Sequence, residues 1–140
     1  MYEDYTRQAV PERHYRELVG TAVTVFNSNN SFIIENILRI TVDKYSWHTL
    51  IDYTSGRLNN EVKNVLEECS HQNIVELFSE LISMRNRIIH SFQITNSSGK
   101  QVLATKEKNG NQFEVTEEYL MQFIKKNEQL SLMLHEFRGF

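Results

Sequence analysis

Apolar residues recur along the chain with the spacing of amphipathic helices, broken once by a short stretch of strand-like alternation. Tyr15, Leu18, Val19, Ala22, Val23 and Phe26 follow helical spacing behind Pro11, a residue suited to a first helical turn. The run Asn27-Ser28-Asn29-Asn30-Ser31 has the composition of a turn that also offers an N-cap. A second helix is expected through Ile33, Ile34, Ile37, Leu38, Val42 and Tyr45, continuing with a bend through Trp47, Leu50 and Ile51. Thr54-Ser55-Gly56 should end it. A short helix is predicted from Asn60 to Cys69, with Val62, Val65 and Leu66 inward. Ser70 is placed as the cap of a longer helix running to about Phe92.

The period then changes. Asn96-Ser97-Ser98-Gly99 and Asn109-Gly110-Asn111 are turn signals between short runs at 93–95, 101–106 and 112–115, which predict a small antiparallel hairpin or meander. Thr116 is placed as an N-cap, with Glu117 and Glu118 in the first turn, where negative charge is favourable. Val115 and Leu120 have the spacing of a hydrophobic staple. Leu120, Phe123, Ile124, Leu130, Met133, Leu134 and Phe137 form the apolar face of the last helix. The expected architecture is mainly α, a bundle of about five helices with a small antiparallel β-hairpin inserted before the last one. Residues 1–140 are expected to form one domain, with 1–9 as a loose polar arm.

Composition supports a single folded unit: 140 residues, 40% hydrophobic and 24% charged, enough to bury a core without staples. Cys69 is the only cysteine, so no intrachain disulfide can form, as suits a reducing compartment. The acidic start Met1-Tyr2-Glu3-Asp4 has no apolar run behind it and no stretch has the length of a membrane span, so the expected location is cytoplasmic, without a membrane partner. Charge is unevenly spread. Residues 85–108 hold Arg85, Arg87, Lys100, Lys106 and Lys108 against Glu107 alone, a balance of +4 on a chain of net charge −3. Such a segment on an otherwise acidic body is either a phosphate footprint or a solvated hairpin guarded by lysines.

The helix expected over residues 73–92 carries the most informative pattern. With Leu81 at zero and about 100° per residue, nine apolar side chains fill an arc from about −60° to about +100°. That arc is wide enough to face both a core and a second surface, such as another subunit. Arg85 falls at about +40°, within it. A guanidinium there must be paired or must open into a cleft. It has two readings: a structural ion pair with a carboxylate such as Glu76 or Glu35, or a functional cation. His90 likewise reads as a C-terminal-turn histidine favoured by the helix dipole or as a proton-transfer group. Asn86 and His90 lie four residues apart on a shared face.

The segment Arg85-Asn86-Arg87-Ile88-Ile89-His90 resembles the motif of the HEPN superfamily: an arginine, a polar residue that is often asparagine, and a histidine a few residues on, within a helical domain. The resemblance is specific only over the 72–92 helix. It implies a metal-independent endoribonuclease of a toxin or phage-defence type, with Arg85 and His90 catalytic and Asn86 supporting them. It also implies a homodimer with a composite site, RNA as substrate, no cofactor, and an antitoxin or nucleotidyltransferase as a partner. Some toxins of this superfamily carry a modifiable tyrosine two residues after the histidine. Phe92 stands there, so silencing by that route does not fit. The alternative is a non-catalytic HEPN-like module that binds RNA or nucleotide, or serves only regulatory dimerisation.

The chemistry fits the residue types. If the 2′-hydroxyl of RNA attacks the adjacent phosphate, histidine can move the protons and arginine can hold the phosphate oxygens. Arg87, Lys100, Lys106 and Lys108 are the expected RNA-binding cations. On one straight helix Arg85 and His90 stand about 140° apart, which favours a site shared across a twofold axis. No HExxH or paired-cysteine motif is present, and Cys69 with His71 is too little for zinc. A second loose motif match, Arg7 to His14, spans Pro11 and lacks defined geometry. Trp47 and His48 read better as aromatics at a helix bend than as a base platform. His135 reads as a surface residue compatible with the dipole.

Overall fold

The computed structural model describes residues 2–41, 43–66 and 71–139. Its elements in chain order are α1 (Arg13–Ile40), α2 (Trp47–Ile51), α3 (Ser55–Leu66), α4 (Gln72–Ile89), β1 (Phe92–Thr95), β2 (Gln101–Lys106), β3 (Gln112–Val115) and α5 (Glu117–Arg138). The described chain is mainly helical, five helices with a small antiparallel sheet before the last. No described helix is long and apolar enough to cross a membrane.

The number of helices agrees with expectation, but several boundaries differ; α4 stops at Ile89, and Phe92, counted on its apolar arc, opens β1 instead. No turn interrupts residues 27–31; α1 runs unbroken for 28 residues. Asn29 is the reason. It is 4% exposed, and its amide donates to the main-chain oxygen of Asn127 at 2.8 Å and to its Oδ1 at 3.0 Å. A run that looks like a turn in isolation is thus a polar clasp between α1 and α5, where each buried amide needs its partner. The expected bent second helix is instead divided. Beyond Ile40 the chain leaves the helix, Asp43 takes a left-handed φ of 62°, and Ser46 caps α2 by accepting from Thr49 N–H at 3.2 Å. Thr54-Ser55-Gly56 starts a helix rather than stopping one. Thr54 Oγ1 accepts from Arg57 N–H at 3.2 Å, the geometry of an N-cap. Val42, the end of the predicted 60–69 helix and the roles given to Cys69 and Ser70 lie outside the described residues.

The core is built where α1, α4 and α5 meet. Phe26 stacks on Phe78 at 6.1 Å and on Phe123 at 6.0 Å between ring centroids, and all three rings are buried. Ile33, Ile37, Ile74, Leu81, Leu120 and Leu130 fill the surrounding space. Lys126 Nζ meets Glu80 Oε1 at 2.7 Å, linking α5 to α4 at the surface.

The sheet has the order β1-β2-β3, antiparallel throughout. Phe92 faces Ala104 and Thr95 faces Gln101; Leu103 faces Val115 and Lys106 faces Gln112. Gly110, at φ 92°, supplies the left-handed position of the β2–β3 turn. The sheet is fastened to the bundle by Tyr15 of α1. Its hydroxyl donates to Val115 O at 2.6 Å and accepts from Leu103 N–H at 3.0 Å, standing between the two strands. Thr116 caps α5 through Tyr119 N–H at 3.1 Å, and both staple residues, Val115 and Leu120, are fully buried. The N-terminal arm makes several polar contacts with the bundle and the sheet. Glu3 pairs with Arg16 at 2.7 Å, Arg16 reaches Tyr5 Oη at 2.9 Å, and Gln93 Nε2 donates to Ala9 O at 2.7 Å.

Candidate nucleic-acid interface

Helix α4 turns its apolar arc inward, with Ile74, Leu77, Phe78, Leu81 and Ile88 buried. Arg85 is half-buried at the border of that arc. Its Cζ lies 5.5 Å from the centroid of the Phe26 ring, and Nη1 donates to Asn86 Oδ1 at 3.4 Å. Among the described residues it forms no ion pair with Glu35 or Glu76; Glu35 lies 3.8 Å from Arg138 instead. An aromatic face, rather than a carboxylate, accommodates the guanidinium, an attraction of about 0.5–2 kcal/mol depending on desolvation. Because Asn86 uses its carbonyl oxygen toward Arg85, its amide nitrogen is left to donate elsewhere.

One residue on, Arg87 donates through Nη1 to the carbonyl oxygen of Lys106. This bond holds the end of β2 and the following turn against α4. Between helix and turn lies a cleft of about 540 Å³. Helix α4 contributes Ser79, Ile82, Ser83, Asn86 and Arg87 to it; the turn contributes Glu107, Lys108 and Asn109. The volume falls in the range of small-ligand sites. Two cations, two hydroxyls and two amides line it, a donor set that suits phosphate. Glu107 is the exception: half-buried in this lining, its carboxylate has no hydrogen-bond or ion-pair partner among the described residues.

His90 is the C-cap of α4 and is exposed; its N–H bonds to Asn86 O at 3.0 Å. It stands one turn beyond Asn86. Neither Arg85 nor His90 lines the cleft. Among the described residues no hydrogen bond joins the two, in keeping with their spacing of about 140° on the helix. Ile89 and Phe92, flanking His90, are each 44% exposed.

The four candidate RNA-binding cations do not form one patch. Arg87 and Lys108 line the cleft and Lys106 is exposed beside it. Lys100 stands at the other end of β2, about 20 Å away along a strand of this length. There it lies 3.7 Å from Glu12, in a pocket of about 220 Å³ walled by Glu12, Glu114, Glu117 and Glu118. Phosphate would meet repulsion at that end.

The sequence reading missed Ser79, Ser83, Glu107, Asn109 and Tyr119. Ser79, Ser83 and Arg87 form an i, i+4, i+8 row, a polar stripe the helical wheel contained. Tyr119 had no local signal. It lies behind the cleft, with Oη 3.5 Å from Met84 O. Burial pushes its pKa up, and Arg87 partly offsets this while Glu107 adds to it. Elsewhere, Trp47 is 37% exposed at the start of α2, and the exposed His135 packs on Phe32 with centroids 4.6 Å apart. Among the described residues no group of three or more His, Cys, Asp or Glu side chains is placed to hold a metal ion.

Compared with models of protein families, with characterised proteins and with solved structures, the chain matches none.

Proposed function

We propose that this protein is a metal-independent endoribonuclease of the HEPN type that binds RNA in the cleft between α4 and the β2–β3 turn and cleaves it at a site completed by a second copy. The observation carrying this reading is that α4 directs Asn86 and Arg87 into a cleft shared with Lys108, one turn from the exposed His90. Arg87 has donors left after bonding Lys106 O, because a guanidinium has five. With Lys108 it would seat the RNA backbone. In the reaction, the 2′-oxygen of RNA forms a bond to the adjacent phosphorus and the 5′-oxygen of the next nucleotide leaves. One His90 takes the 2′-hydroxyl proton and a second, from the other copy, protonates the leaving oxygen. Arg85 adds positive charge where two α4 helices meet around a twofold axis, and otherwise holds Asn86 in place. Ile89 and Phe92 are the apolar groups such an interface would cover.

The second reading is a non-catalytic module that binds RNA at the same cleft. The observation favouring it is that Arg85 is engaged by Phe26 and Asn86 and does not line the cleft.

The test incubates the purified protein with a mixed RNA pool in excess EDTA. Products ending in 2′,3′-cyclic phosphate and 5′-hydroxyl are expected, with DNA intact for want of the attacking oxygen. His90→Ala should slow cleavage at least about a hundredfold, with fold and mass unchanged. Cleavage that persists in His90→Ala, or stops on chelation, rejects the mechanism. RNA binding without cleavage selects the second reading. Light scattering should give twice the chain mass; a monomer removes the shared site. Expressed alone, an active toxin would arrest its host cell, and His90→Ala would not.

A further inference from the structure

The cleft contains one group that phosphate binding does not explain. Glu107 lines a site whose other charged groups, Arg87 and Lys108, are cations, yet its carboxylate has no partner among the described residues. A carboxylate there weakens attraction for phosphate. It is useful only to a ligand that also presents hydrogen-bond donors. Asn86 supplies the complementary group. Its Oδ1 is engaged by Arg85, which leaves its amide N–H groups for other acceptors, and Asn86 lines the cleft. The site thus combines an acceptor with two lone-pair-bearing oxygens, an amide donor, and two cations.

Among the RNA bases, guanine alone matches this set. Its Watson–Crick edge carries two adjacent donors, N1–H and the N2 amino group, next to the O6 acceptor. A carboxylate can accept from both donors at once while an amide donates to O6. Adenine offers one exocyclic amine beside a ring nitrogen whose lone pair would face the carboxylate. Uracil offers a single N–H between two carbonyls, and cytosine one amine beside two acceptors. We propose that the α4–turn cleft selects a guanine nucleotide, with Glu107 reading N1–H and the N2 amine, Asn86 donating to O6, and Arg87 and Lys108 holding the phosphate. The assignment rests on the RNA-binding reading for its source of guanine. Free guanosine monophosphate presents the same chemistry.

The experiment measures binding, by fluorescence anisotropy in EDTA, of short oligouridine RNAs carrying one guanine, inosine or adenine at a fixed position. The His90→Ala protein is used so that no probe is cut. Free guanosine monophosphate serves as a separate ligand and competitor. The guanine RNA should bind at least about fivefold more tightly than the other two, the lower end of what a two-bond base contact discriminates. Inosine lacks only the N2 amine and is the sharpest comparison. Adding Glu107→Gln should erase the preference while leaving the affinity for the adenine RNA equal or higher, since a repelling charge is gone. Equal binding of all three RNAs overturns the proposal and leaves the RNA reading standing. A guanine preference that survives Glu107→Gln overturns the assignment to this residue. Binding of free guanosine monophosphate with the same Glu107 dependence, but of no RNA, supports guanine selection and removes the RNA reading. Binding of neither overturns both.

Discussion

The two ends of the three-stranded sheet have opposite character although one strand joins them. At the β1–β2 end, Lys100 is surrounded by Glu12, Glu114, Glu117 and Glu118, and Tyr15 fastens the strands to α1. At the β2–β3 end, Arg87 and Lys108 face a single carboxylate, Glu107, and Arg87 fastens the turn to α4. Counted along the chain, residues 85–108 form one positive block. Folded, that block is cut in two, because an antiparallel strand carries its flanking residues to opposite ends of the sheet. The acidic end is anchored to α1 through Tyr15, and the basic end opens on the cleft beside α4. Local charge density is set by what the chain returns to, not by what precedes it.

The strongest way to sharpen the contrast is to loosen the acidic end alone. Tyr15→Phe removes a hydroxyl that satisfies both Leu103 N–H and Val115 C=O. Leaving buried main-chain groups unpaired should cost about 2 kcal/mol, read as a lower urea midpoint. RNA affinity per folded molecule should stay as it was. A loss below about 0.5 kcal/mol would mean that the strands close on each other and the bridge is dispensable. A parallel loss of RNA binding would mean that the two ends are coupled.

The next test asks which end meets phosphate. Replacing Arg87 and Lys108 together by alanine should weaken RNA binding roughly tenfold at moderate salt and reduce the salt slope by about 1.4, near 0.7 per phosphate contact on a single strand. Lys100→Ala should change neither, since its charge is balanced by the carboxylates around it. The Lys100–Glu12 pair is also well exposed, 60% on each side chain, so its loss should move stability by less than about 1 kcal/mol. If Lys100→Ala lowers affinity as much as the double variant, the division of the sheet into two electrostatic ends is wrong.

The sequence was legible where structure is local. α4, the three strands and α5 with its Thr116 cap follow directly from period, turn residues and capping. The 27–31 run misled because the partner of Asn29 is Asn127, 98 residues away, and nothing near Asn29 announces it. Thr54-Ser55-Gly56 misled because the same residues that stop a helix can cap the next one. At the cleft, Asn86 and Arg87 could be read from the motif helix. Of the opposing wall only Lys108 was named; Glu107 and Asn109 were not, because they meet α4 only through a turn about 20 residues on, placed by one arginine–carbonyl bond. Lys100 was grouped with Lys108 by proximity in sequence, which the strand undoes.

The smallest expected effect is also the most direct report on the two ends, because each holds one tyrosine, Tyr15 buried and Tyr119 half-buried. Tyr15 and Tyr119 both have raised pKa values, and burial is the first cause in each. The charges then act differently. At Tyr15 the Leu103 N–H bond lowers the value while Glu114 and Glu117 raise it. At Tyr119 Arg87 lowers it and Glu107 raises it. Arg87→Ala should therefore move Tyr119 further up and leave Tyr15 in place. Glu107→Gln should move Tyr119 down, and Glu117→Gln should do the same for Tyr15 alone. NMR of ring-labelled tyrosine against pH would follow each residue separately. The sign for stability is the same at both ends. A tyrosine raised above its unfolded value of about 10 contributes fully below that pH and loses its contribution as pH rises through the folded value. Arg87→Ala should thus steepen the loss of stability on the alkaline side, and Glu117→Gln should flatten it. A Tyr119 resonance that ignores Arg87→Ala, or a Tyr15 that follows it, would show that the guanidinium does not set the field at the basic end, and the cleft would lose its main claim to phosphate.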